Sequence, residues 1–226
     1  MKRILITLFF SGLLSISMSA HGQVKLENQP AQASPQKAKY IEGQHFTRLE
    51  EPLKVVTGDK IEVRELFWYG CPHCNRLEPV VLNWLKTKPA NSEFVPMPAV
   101  FSPRWTFHAK VFYTLKALGI EKKAHPEVFT SIHAKRRPIN NLKQLNKFLK
   151  VNYDIDQAKV ESAYKSFTVD SNMRAANAYS LKSTATGVPT VIVDGKFKVT
   201  VSSAGGNQQL FNVVDELIVL AQSERK

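Results

Sequence analysis

Ile61-Glu62-Val63-Arg64-Glu65-Leu66-Phe67-Trp68-Tyr69-Gly70-Cys71-Pro72-His73-Cys74 is the stretch that decides the fold. Ile61, Val63, Phe67 and Tyr69 fall on one face of a strand, and Leu66 and Trp68 make the other face apolar near its end. A strand apolar on both faces belongs in the middle of a covered sheet. Gly70 breaks it. Pro72 then falls in the first turn of a helix that carries Leu77, Val80, Val81, Trp84 and Leu85 at helical spacing, with Pro79 expected to kink it. A buried strand therefore runs straight into a helix whose first turn holds two cysteines.

Glu93 to Val100 offers a second short strand. From Ser102 to about Phe167 only helical patterns occur. Trp105, His108, Val111, Phe112 and Leu115 mark one; Val128, Phe129 and Ile132 mark another after Pro126. Leu142, Leu145, Phe148 and Leu149 mark a third, and Val160, Ala163, Tyr164 and Phe167 a fourth, with a fifth from about Ser171 to Ser183. Strand signals return at Pro189–Val193 and Phe197–Val201, joined by Asp194-Gly195, a strong hairpin dipeptide. A last helix carries Leu210, Val213, Val214, Leu217, Ile218 and Ala221, with Asn207 as its cap. Strand, helix, strand, helical block, hairpin and helix describe an α/β sheet with an all-helical domain inserted. The expected boundaries are 40–101 for the first part of the sheet domain, 102–168 for the insert and 169–226 for the second part.

Ahead of this lies a basic opening, Met1-Lys2-Arg3, then an apolar run from Ile4 to Ile16 and small residues at Ser17, Ser19 and Ala20. That order reads as a signal peptide over residues 1–22, directing export, with 23–39 a flexible lead-in rich in Gln, Ala, Pro and Lys. The chain's formal charge is +12; losing Lys2 and Arg3 leaves 12 − 2 = +10. Its densest basic cluster, Lys135-Arg136-Arg137, has no aromatic interleaving, so it reads as a solvated helix end and nucleic acid is not an expected partner. No Gly-rich phosphate loop occurs, so no nucleotide is implied.

The chain has two cysteines, and both sit in this one motif. A secreted scaffold held by disulfides spreads more of them through the sequence. A structural zinc site needs four ligands, and the remaining histidines show no second paired spacing. An inert local disulfide remains open as an alternative. Placed at a helix N-terminus, Cys71 meets unpaired N–H groups and a partial positive charge that favour thiolate, and a protonated His73 would add to that field. Cys74, one turn on, can reach the same sulfur. Stabilising the thiolate stabilises the reduced pair, so its disulfide is readily given away. His108, within an apolar helix face, reads as a packing residue, and the Trp105, Phe112 and Tyr113 stripe reads as core.

Glu65-Leu66-Phe67-Trp68-Tyr69-Gly70-Cys71-Pro72-His73-Cys74, together with Gly187-Val188-Pro189-Thr190, Asp194-Gly195-Lys196 and Ser203-Ala204-Gly205-Gly206, closely resembles the DsbA family of periplasmic disulfide oxidases. The resemblance runs from about Tyr40 to the C-terminus and implies a thioredoxin fold with the helical domain inserted. It implies an exposed nucleophile at Cys71 and a buried resolving partner at Cys74, with Pro72 and His73 between them in the active-site motif. Val188-Pro189 resembles the family's cis-proline loop, whose backbone can pair with a bound substrate segment; from the residues alone, an ordinary trans proline at a strand start is favoured. Glu65 matches an acidic residue beneath the disulfide that shuttles protons to Cys74; the alternative is a strand carboxylate rescued by a basic neighbour. Some members carry a lysine in the strand after the active-site helix, where this chain is read as having Glu93.

The implied activity is oxidation of exported proteins that hold free thiols, in the periplasm, by a monomer without metal or other cofactor. Reoxidation would come from a DsbB-like quinone-linked membrane protein. The competing readings are a disulfide isomerase or reductase, and a peptide-binding chaperone that only retains the motif.

Overall fold

The computed structural model describes residues 39–225. The expected signal peptide, and all of the lead-in but its last residue, lie outside them. Among the described residues, β1 (Thr47–Arg48), β2 (Ile61–Phe67), β3 (Ser92–Pro98), β4 (Thr190–Val193) and β5 (Phe197–Thr200) form one sheet in the order β1-β5-β4-β2-β3. Every residue of β2 is buried, including Glu62 and Arg64, which form an ion pair at 2.5 Å on the face that Leu66 makes apolar near the strand's end. It runs parallel to β3 and antiparallel to β4, with Glu65 opposite Pro96 on one side and Val191 on the other.

One face of β2 feeds two cores. Ile61 and Val63 pack with Leu77, Val81 and Trp84 of α1 (Pro72–Trp84) and with Leu210, Val214 and Leu217 of α7 (Asn207–Glu224). Phe67 and Tyr69, further along the same face, pack instead into the helical block. That block comprises α2 (Pro103–Ala117), α3 (Glu121–Phe129), α4 (Leu142–Tyr153), α5 (Gln157–Tyr164) and α6 (Phe167–Lys182). Leu66, on the opposite face, packs with Ala99 and Ile192. At about 1.5–3 kcal/mol for each large side chain buried, the strand is anchored at both ends. The active-site turn at its C-terminal end is held by the same packing. Among the described residues, no helix is long and apolar enough to cross a membrane. These elements compose a thioredoxin fold carrying a helical insert.

The hairpin forms as the Asp194-Gly195 dipeptide predicts, with φ of 54° and 65° at those residues. A Cβ on Gly195 would lie 2.1 Å from the Leu53 carbonyl oxygen, so the close approach needs glycine as much as the turn does. Three helix limits differ from the sequence expectation. α3 begins at Glu121 and runs through Pro126. The bond the proline forfeits is that to the carbonyl of exposed Lys122, while Ala124, His125, Val128 and Phe129 are all buried by continuing the helix. α6 begins at Phe167, where the Ser166 hydroxyl accepts the Val169 N–H. Its Val169, Met173 and Ala176 join the helical core, so α6 runs across the expected 168/169 boundary. Asn207 is not a cap; Gly206, at φ 140°, takes that place, and Asn207 is the first helical residue.

Candidate active site

β2 stops at Phe67, and the chain turns through Trp68, Tyr69 and Gly70 before α1 begins. The Cys71 N–H closes this turn on the Trp68 carbonyl at 2.9 Å. The Trp68 indole lies over Gly70, where a Cβ would meet the ring at 2.3 Å, and stacks on Trp105 at 4.5 Å with the rings 5° from parallel. Cys71 itself is the N-cap of α1, in extended conformation, with Pro72 at the first helical position. Proline fits there because its missing N–H is one the helix start cannot pair in any case.

An N-cap side chain faces the N–H groups of the second and third helical residues, and a thiolate there is a capping anion. Here those residues are His73 and Cys74. The Cys71 thiol is lowered to about 5, first by a hydrogen bond from the Cys74 thiol, against the opposing effect of burial, then by the backbone N–H groups of Cys74 and His73. Burial pushes Cys74 the other way, strongly, with its bond to Cys71 and the nearby Glu65 adding to the rise. The environments of the two sulfurs thus separate a low-pKa thiol from a high-pKa one within a single helical turn. Both are free thiols in this structure. The resemblance implied an exposed nucleophile; Cys71 keeps 7% of its surface, against 1% for Cys74, so its opening is narrow. The Val188 carbonyl, 3.6 Å from the sulfur, forms one wall of that opening.

The Val188–Pro189 peptide bond is cis. β4 follows directly and is paired to β2, which brings the loop back to the active-site turn, and the Cys71 sulfur lies 3.6 Å from the Val188 carbonyl oxygen.

Glu65 is 2% exposed, and no ion pair reaches it among the described residues. Burial raises its carboxyl well above the ordinary carboxylate range, with Glu78 and then Cys71 adding to the shift. Glu93 does not take the place read for it. It stands opposite Glu62, three positions from Pro96, and its carboxylate binds Lys60 at 3.0 Å. Because parallel register carries Pro96 to Glu65, no cation can come from that strand position. The charged neighbour sequence reasoning missed is Glu78, on α1, raised to about 7 by burial and by Glu121. Its signal was there: Glu78 follows Cys74 by four residues on the buried face of the helix.

His73 accepts a hydrogen bond from the Arg76 guanidinium at 2.9 Å. His108 is buried and donates to the Ile139 carbonyl at 3.0 Å; burial lowers it to about 4, so it is a neutral packing residue. Of the residues singled out in the sequence, Cys71, Pro72, His73, Cys74, Glu65, Val188 and Pro189 are gathered around one turn. Glu93 is not.

The DSBA-like thioredoxin domain family matches residues 95–217. The thiol:disulfide interchange protein DsbA of Pseudomonas aeruginosa is 37% identical over 179 residues, 79% of this chain and 84% of that protein. The protein of the same name from Burkholderia cepacia is 33% identical over the full length of both chains. The crystal structure of Pseudomonas aeruginosa DsbA superposes with a TM-score of 0.77 at 35% identity, covering 82% of this chain and 96% of that one. For the oxidoreductase DsbA of Xylella fastidiosa the TM-score is 0.76 at 26% identity, covering 81% and 98%.

Proposed function

The chain belongs to the DsbA family and is a thiol:disulfide oxidoreductase; from that premise we propose that it is an oxidase whose Cys71–Cys74 disulfide is donated to folding exported proteins. The observation that carries the direction is the Cys71 sulfur at the helix N-cap, where its anion is favoured and the reduced pair with it.

A substrate thiolate attacks the Cys71 sulfur, breaking its bond to Cys74. The Cys74 sulfur leaves as an anion in a site that disfavours one, and Glu65, held protonated by burial and close enough for its charge to act on Cys74, supplies the proton. A second substrate thiolate then attacks the substrate sulfur of the mixed disulfide. Cys71 departs as a stable thiolate, a good leaving group, and the substrate keeps the new disulfide. Pro72 starts the helix that holds this anion, and His73 adds an N–H group. The Val188–Pro189 backbone lies beside the substrate sulfur, ready to pair with the flanking chain.

The basic, apolar, small-residue order of residues 1–22 supports export to the periplasm, where substrates with free thiols are met. The two electrons left on the reduced pair pass to a DsbB-like quinone-linked membrane oxidase. A paired assay tests the reading: the disulfide form should oxidise a dithiol peptide stoichiometrically and rapidly, while the dithiol form reduces insulin poorly. Efficient insulin reduction with sluggish peptide oxidation would assign a reductase instead.

A further inference from the structure

β2 ends at Phe67, so the carbonyl of Tyr69 lies past the end of its ladder and needs a partner from elsewhere. That partner is His133, whose Nε2 lies 2.8 Å from it. The hydroxyl of the same tyrosine is 2.9 Å from Nδ1 of His125. Tyr69 is fully buried, so neither polar end can turn to water. Between the two histidines, Phe129 packs edge-on against the Tyr69 ring at 5.1 Å and stacks beneath His133.

His125, Phe129 and His133 come from one continuous stretch at intervals of four, which a regular helix would fan across one face. Eight residues at about 3.6 per turn overshoot two turns by roughly 80°. The chain absorbs this with a π-helical turn at Thr130–Ala134, closed by Lys135 N–H on the Thr130 carbonyl at 2.9 Å. Such a widened turn is rare and tends to occur where a helix must re-aim a side chain. Here it returns His133 to the face that His125 and Phe129 already occupy.

We propose that His125 and His133 are positioning residues for the redox site, gripping Tyr69 at its hydroxyl and its carbonyl so that the Gly70–Cys71 step holds the Cys71 sulfur over the N-terminus of α1. The helical insert thereby sets the geometry of a nucleophile carried by the sheet domain. A carbonyl can only accept, so His133 carries its proton on Nε2. With the phenol donating to Nδ1, His125 carries its own on Nε2, which faces a Glu78 oxygen at 3.7 Å. Burial lowers His125 to about 3, so this contact is made by a neutral ring. Phe67, Phe112 and Phe129 pack around that ring, and Glu121, one turn earlier on α3, lines the same cavity as His125 and Glu78.

The inference rests on Cys71 being the activated nucleophile, and one titration separates the two claims. Thiolate absorbance of the full chain in the reduced state is followed against pH for wild type, Tyr69→Phe, His133→Leu and His133→Gln. Loosening the grip lengthens the N–H contacts to the Cys71 sulfur, so Tyr69→Phe and His133→Leu should each raise its midpoint by about half a unit or more. His133→Gln, whose amide can place an N–H where Nε2 was, should return close to wild type. Peptide oxidation rates should fall in the same order. If His133→Leu does not fold, Tyr69→Phe, which removes a single oxygen atom, carries the test. Unmoved midpoints in folded variants, or equal shifts in His133→Leu and His133→Gln, would overturn the clamp. A wild-type midpoint near that of free cysteine would instead overturn the reading of the site, and the clamp with it.

Discussion

The Cys71 sulfur and the Val188 carbonyl oxygen lie 3.6 Å apart, although 117 positions separate the residues in sequence. Any substrate sulfur joined to Cys71 must therefore sit beside the Val188 backbone. A cysteine peptide trapped on Cys71 in a Cys74→Ala variant should pair with that edge. Hydrogen exchange at the Val188 amide should slow by about tenfold, the worth of one ordinary hydrogen bond. Unaltered exchange in the adduct would place the substrate chain elsewhere.

Cys74 does more than resolve. Its thiol hydrogen bond is the largest influence lowering Cys71. Cys74→Ser keeps a donor, and Cys74→Ala removes it. The alanine variant should therefore titrate about one unit or more above the serine variant, since a hydrogen bond to a charged group contributes about 1.5–3 kcal/mol. Coincident titrations by thiolate absorbance would assign the low value to the backbone N–H groups alone.

Glu78 makes stability depend on pH in a defined direction. Its carboxyl ionises near the ordinary value of 4.5 when unfolded and at about 7 when folded. The contribution is thus fully present below 4.5 and is lost as pH rises through 7. Glu78→Gln removes that loss. By denaturant unfolding, the variant should be more stable than wild type above pH 7 by roughly 1–3 kcal/mol, with the gap closing toward pH 4.5. A variant less stable across the whole range would mean that the ionised carboxylate has a partner that stabilises it.

Gly70 has no room for a side chain. A Cβ there would meet the Trp68 ring at 2.3 Å, and the ring is itself stacked on Trp105. Gly70→Ala should cost about 1–3 kcal/mol by displacing that stack, and should slow peptide oxidation because the shift falls next to Cys71. Wild-type stability and rate together in this variant would show the ring free to move.

What could be read in advance followed the reach of local chemistry. β2 was legible because one face is mostly apolar and the other becomes so near its end, the hairpin because Asp194-Gly195 suits few other turns, and the Cys71 environment because helix N-termini favour anions wherever they occur. Strand register was not legible. Glu93 and Pro96 lie in one short strand, and only pairing decides which of them meets Glu65. The role of Tyr69 escaped for a related reason. His133 is brought into line with His125 by a π turn, which no periodicity announces, and Pro126 argued against the helix that carries them.

A site that gives its disulfide away must have an oxidising reduction potential at the Cys71–Cys74 pair. Equilibration of the protein with defined ratios of reduced and oxidised glutathione yields that potential. A thiolate stabilised as this one is should place it above about −180 mV, in the range of enzymes that donate disulfides; a value near −270 mV, that of a reducing thioredoxin, would contradict the account.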